Sequence, residues 1–164
     1  MARGQASCWP AGHHDVGRHS TASSRMGSPM NKVGASHNPR TVWTVPDSFR
    51  SIYSHAFEVR SGVRLLFISG QVGVAPDGTV PSDFESQLDQ AMKNVEALLA
   101  STGMGNENVV KITYLVTRAQ DFPVLGQKRR ERWSRVEPPA VTAIVVAGLA
   151  RPEYLIEIEA VAAA

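Results

Sequence analysis

Two segments of this chain are apolar on both sides of an extended backbone, and they decide what it can fold into. In Arg64 to Gly70, Leu65 and Phe67 point one way and Leu66 and Ile68 the other. In Ala140 to Ala147, Ile144 and Val146 face one side, Val141 and Val145 the other. A strand apolar on both faces needs both faces covered. The helical periodicity elsewhere supplies two helices, enough for one face of a four- or five-stranded sheet. The second face is therefore expected to be covered by another copy of the chain.

The elements follow from spacing and turn chemistry. Ser54 to Arg60 and Arg64 to Gly70 are expected to form a hairpin around Ser61-Gly62. Pro76-Asp77-Gly78 signals a turn. Ser82-Asp83-Phe84-Glu85 has the form of a capping box, with Ser82 at the N-cap. Phe84, Leu88, Met92, Val95 and Leu99 then keep helical spacing, and Gly103 fits the stop. Val109 to Thr117 alternates as a strand, with Val110, Ile112, Tyr114 and Val116 on one face. A second helix is expected from Asp121 to about Arg135, weakened at Gly126 and ended by Pro138-Pro139. Ala140 to Ala147 and Leu155 to Ala162 complete an α+β domain.

The 164 residues divide unevenly. Residues 1–41 lack Leu, Ile, Phe and Tyr and are rich in Ser, Gly, His and Pro, a composition expected to stay disordered. Residues 42–164 are read as the single folded domain. Arg3, Arg18, Arg25, Lys32 and Arg40 face Asp15 alone in the first forty residues, whereas the remainder is slightly acidic. The pI near 8.9 thus describes the tail, and nothing in the body favours a polyanion. No apolar run approaches the ~20 residues that cross a bilayer, and a cytoplasmic protein is expected. One cysteine, Cys8, excludes an internal disulfide and a Cys-rich zinc module. His13, His14, His19 and His37 read as solvated side chains, since nothing fixes them as metal ligands. No metal or other cofactor is expected.

Few residues of the body suggest chemistry. Glu157 and Glu159 share a strand face in Leu-Ile-Glu-Ile-Glu. They read either as a solvated acidic face or as a half-buried carboxylate able to move protons. His55 is the lone histidine of residues 42–164. Lys128-Arg129-Arg130-Glu131-Arg132 reads as a solvated helix face, with too little aromatic interleaving for a nucleic-acid groove. No phosphate-binding glycine loop, HExxH or GxSxG occurs.

Six segments extend this reading. Tyr53-Ser54-His55-Ala56, Leu66-Phe67-Ile68-Ser69-Gly70-Gln71-Val72-Gly73 and Gln87-Leu88-Asp89-Gln90-Ala91-Met92-Lys93-Asn94-Val95 occur in order. Val109-Val110-Lys111-Ile112-Thr113, Asp121-Phe122 and Ile156-Glu157-Ile158-Glu159-Ala160-Val161-Ala162 follow. Together they resemble the Rid (YjgF, reactive-intermediate imine deaminase) family, also labelled endoribonuclease L-PSP, over roughly residues 45–164. The resemblance implies a chorismate-mutase-like α+β fold, with two helices on one face of the sheet. It further implies a homotrimer with sheets inside, helices outside and ligand clefts between subunits. There, imines and enamines such as 2-aminoacrylate are hydrolysed to a keto acid and ammonia. By position, Glu157 matches the glutamate that holds or activates water, and Ser69 and Gly70 match the ligand contacts. Tyr53 matches the pocket tyrosine.

This chain departs from the family pattern where the substrate carboxylate is held. The deaminase pattern Pro-Ala-Arg-Ser reads Pro139-Ala140-Val141-Thr142 here. Val141, in the substrate-binding position, cannot make the bidentate contact of an arginine. The family asparagine falls near Gly126, and the first hairpin is about three residues longer. Members without the arginine belong to groups regarded as lacking the standard activity. The resemblance therefore implies deaminase-like hydrolysis of an imine, enamine or related C–N substrate other than the 2-aminoacrylate type. The alternative is a non-catalytic ligand-binding or regulatory trimer that kept the pocket. The ribonuclease activity sometimes attached to the family is disfavoured by the acidic body, so the expected partners are further copies of the chain and a small molecule.

Overall fold

The computed structural model describes residues 33–39, 41, 42 and 44–164. Eight main elements follow one another: β1 (Gly34–His37), β2 (Ala56–Val59), β3 (Leu65–Val72), α1 (Phe84–Ser101), β4 (Val109–Val116), α2 (Phe122–Trp133), β5 (Ala140–Val145) and β6 (Ile156–Ala163). β3, β6, β4 and β5 form one sheet in that order. β6 runs antiparallel to both neighbours, and β4 is parallel to β5. A parallel pair needs a long crossover, and α2 supplies it.

α1 begins one residue later than the capping box suggested. Asp83 is the N-cap, and its carboxylate accepts from the Ser86 amide at 2.8 Å. A charged oxygen is the stronger acceptor for that orphan N–H. Phe84, Leu88, Met92, Val95 and Leu99 are all buried, as their spacing required. They pack with Ile112, Tyr114, Val116, Ile156 and Ile158, so α1 and α2 cover one face of the sheet. Complete burial of a side chain such as Leu88 contributes about 1.5–3 kcal/mol. Gly103, at φ 71°, turns the chain out of α1.

Polar side chains fasten α1 to the strand ends. Buried Gln87 donates to the Pro81 and Glu153 carbonyls at 2.7 and 2.8 Å and accepts from the Leu155 amide at 2.8 Å. Asn94 donates to the Val72 and Val74 carbonyls at 3.0 and 2.9 Å. The exit of β3 passes so close to α1 that a β-carbon at Gly73 would strike the Gln87 backbone.

The opposite face of the sheet is open in the single chain. Leu65, Phe67 and Ile144 lie on it, and Phe67 is 74% exposed. Lys111, Thr113 and Glu159 form a polar stripe among them, with Lys111 Nζ donating to Thr142 Oγ1 at 2.5 Å. Desolvation pulls the Lys111 ammonium pKa below its ordinary value.

Two expectations need correction. The Ser61-Gly62 turn exists, with Gly62 at φ 81°, but it does not close a β2–β3 hairpin. β2 pairs with β1, whereas β3, apolar on both faces, pairs with β6 in the four-stranded sheet. The boundary at residue 42 is also too late. Gly34–His37 is already a strand, and Val33 is buried beside Val110 and Ala163. Small residues at 34 and 35 let β1 lie against β2, where a β-carbon at Gly34 would meet the Glu58 carbonyl. Ser36 anchors it further, donating its N–H and hydroxyl to Glu137 at 3.0 and 2.6 Å. The expectations for residues 1–32, including Cys8, His13, His14 and His19, lie outside the described residues.

Candidate functional site

β3 and β6 fall out of register between Ile68 and Gln71, leaving Ser69 and Gly70 in a bulge on the edge strand. Gln71 folds back over it, its Nε2 donating to the Ser69 and Gly70 carbonyls at 2.9 and 3.3 Å. On β6, Glu157 lies between Val72 and Leu115. Its carboxylate fills the space that a β-carbon at Gly70 would take. Ser69 is exposed and Glu157 is half-buried. The structure thus brings three predicted residues, Ser69, Gly70 and Glu157, together at one edge of the sheet. A bulge that frees backbone groups beside a carboxylate can orient a polar ligand and a water molecule.

The other two lie at the opposite edge. Ser54 bridges to Ala140 at the start of β5, donating its N–H to Pro139 O at 3.0 Å and its hydroxyl to Pro138 O at 2.9 Å. This holds Tyr53 beside β5. Its hydroxyl is 3.1 Å from His55 Nδ1, with the two rings edge-to-face at 5.4 Å. Val141 follows Ala140 and packs against the main core, level with Ile112. Three strand spacings, roughly 14 Å, separate β3 from β5. Within one chain, Tyr53 and Val141 therefore do not meet Ser69, Gly70 and Glu157.

Glu159 stands exposed on the open face beside Thr113. His37 Nε2 pairs with Glu58 at 3.0 Å. Among the described residues, no group of three His, Cys, Asp or Glu side chains is placed to hold a metal.

The basic run of α2 is not the solvated face that the sequence suggested. Lys128 reaches Glu85 and Asp89 on α1 at 2.8 and 3.2 Å. Arg132 makes a bidentate pair with Glu96, to which Trp133 also donates at 2.8 Å. Arg129 is buried, its guanidinium 4.9 Å from the Tyr114 ring centre and donating to the Ile52 carbonyl. Burial pushes the Tyr114 hydroxyl up to about 12. Arg129 falls on the inner face because Leu125, one turn earlier, points into the core. A run of like charges carried no sign of that burial. Lys128 and Arg132 are thus paired with carboxylates and Arg129 is buried, which leaves Arg130 as the exposed cation of this run.

The family described as endoribonuclease L-PSP matches residues 47–164. A RutC family protein of Aquifex aeolicus is 38% identical over 112 residues, covering 66% of this chain and 87% of that protein. The 2-iminobutanoate/2-iminopropanoate deaminase of Mus musculus is 36% identical over 112 residues, covering 67% and 79%. In three dimensions, the Rid-family protein YyfB from Yersinia pestis superposes with a TM-score of 0.72 at 31% identity. That superposition covers 82% of this chain and all of YyfB.

Proposed function

The chain belongs to the Rid family, described as endoribonuclease L-PSP, and from that premise we propose that it works as a homotrimer with a small-molecule pocket at each subunit interface. The observation that carries this reading is the split site. Ser69, Gly70 and Glu157 lie at one edge of the sheet, Tyr53 and Val141 at the other. Copies arranged in a ring set the first edge of one against the second edge of the next. The open apolar face would then be buried inside the ring.

The proposed reaction is hydrolysis of an imine or enamine with release of ammonia; the mouse relative is named as a deaminase of 2-iminobutanoate and 2-iminopropanoate. Water adds to the imine carbon while its proton passes to Glu157. Protonation of the nitrogen follows, the C–N bond breaks, ammonia leaves and a carbonyl remains. Ser69 and the Gly70 backbone orient the polar group, and Tyr53 closes the pocket. Water and proton-transfer groups are sufficient for these steps.

Val141 separates this chain from a standard imino-acid deaminase. It offers two methyl groups where the family pattern carries a guanidinium, and a carboxylate left unpaired in a partly dry pocket costs several kcal/mol. The substrate is accordingly not of the 2-aminoacrylate type. The same residue supports a second reading, a ligand-binding trimer without turnover. Ammonia release from a panel of amino-acid-derived and carboxylate-free imines decides between them. Release that is lost in Glu157→Gln supports hydrolysis. Ligand binding without release from any member supports the second reading.

Among the described residues, no helix is long and apolar enough to cross a membrane.

A further inference from the structure

A groove of about 440 Å³ runs between α2 and the edge strand β5, within the size range of small-molecule sites. Phe49, Phe122, Gly126 and Ala143 line it, together with the side chains of Arg129 and Arg130. Gly126 leaves room for Arg130, one turn later. A β-carbon at residue 126 would lie 3.4 Å from Arg130 Nη1, so the guanidinium lies over the glycine at the wall of the groove.

Among the described residues, the charge of this groove has no acidic partner. Nearby basic residues have acidic partners: Arg118 with Asp121, Lys128 with Glu85 and Asp89, Arg132 with Glu96. Arg130 makes no ion pair among the described residues. Glu131, its neighbour, instead accepts from Gln127 at 2.7 Å. Arg129 beneath it donates to a carbonyl and lies over Tyr114, also without a carboxylate. Ala143 and Val141 are two residues apart on β5, which places them on one strand face at roughly 6.5–7 Å.

We infer that this groove binds an organic anion with an apolar body, Arg130 pairing with its carboxylate and Phe49 and Phe122 packing on its hydrocarbon or aromatic group. Val141, two residues from the groove-lining Ala143 on the same face of β5, supplies no cation of its own. A three-carbon imino acid has no body to fill the groove, whereas one with a bulky apolar side chain has both parts. The extension to such imino acids as substrates rests on the hydrolase reading; the binding does not.

Isothermal titration of the full chain with three ketones tests it. Phenylpyruvate carries anion and body, pyruvate the anion alone, phenylacetone the body alone. Phenylpyruvate is expected to bind at least about tenfold more tightly than either partial ligand. Arg130→Gln should remove that advantage and leave phenylacetone unchanged, while Arg130→Lys retains part of it. Arg130 is exposed and makes no ion pair among the described residues, so these variants should fold as the natural chain does. Equal affinities for phenylpyruvate and phenylacetone, no binding of phenylpyruvate, or indifference to Arg130→Gln would overturn the inference. Selective binding without ammonia release leaves the anchor standing and removes the hydrolase. Ammonia release from 2-imino-3-phenylpropanoate with KM unchanged in Arg130→Gln does the reverse.

Discussion

The Glu157 carboxylate occupies the space that a β-carbon on residue 70 would need. Gly70→Ala should displace the carboxylate at little cost in stability, because what gives way is the far end of a flexible, half-buried side chain. Ammonia release should fall with it. Glu157→Gln keeps the shape and removes the proton acceptor, so release should fall by ~10²–10⁴ with little change in the urea midpoint. Unchanged ammonia release in Gly70→Ala would contradict the contact.

Glu96 makes stability depend on pH. Burial works to raise its pKa, but hydrogen bonds from Arg132, Trp133 and Asn106 outweigh it and hold the carboxyl below its ordinary 4.5. A depressed carboxyl stabilises the fold above its unfolded pKa and loses that contribution as pH falls through the folded one. Glu96→Gln should cost about 1.5–2 kcal/mol at pH 7, the lower part of the range for hydrogen bonds to charged groups. The gap should narrow below pH 4.5 and close at lower pH. Denaturation curves with the same gap at pH 3 and pH 7 would rule this out.

The substrate limit at Val141 is tested by substitution. The natural chain should turn over 2-iminopropanoate poorly, and Val141→Arg should raise that rate, each 1.4 kcal/mol of anchoring being about tenfold in kcat/KM. Val141 packs against the core, so the variant should also lose about 1–3 kcal/mol of stability. Efficient turnover of 2-iminopropanoate by the natural chain would contradict the limit.

The sequence was most legible where one periodicity governs one element. The five apolar positions of α1 are all buried, and the alternation of β4 places Ile112, Tyr114 and Val116 in the core. β1 carried no such signal, since Gly-Ala-Ser-His lacks the β-branched and aromatic residues that mark strands; its place comes from pairing with β2 and from Glu137. The N-cap moved by one residue because Ser82 and Asp83 compete for the same amide region, a choice that local spacing leaves open. Burial of Arg129 depends on the helix phase and on Tyr114 across the core, neither visible in a run of charges. The motifs named the candidate residues. Their division between two sheet edges needed the strand order, which no local pattern contains.

Subunit mixing tests the shared site most directly. Glu157→Gln and Tyr53→Ala each impair one half, on opposite edges of the sheet. The two variants, unfolded together and refolded as mixed trimers verified by native mass spectrometry, should regain ammonia release that neither shows alone. Random assembly in a ring with one site per interface predicts about a quarter of the natural rate. Verified mixed trimers no more active than their two parents would contradict a site built from two copies.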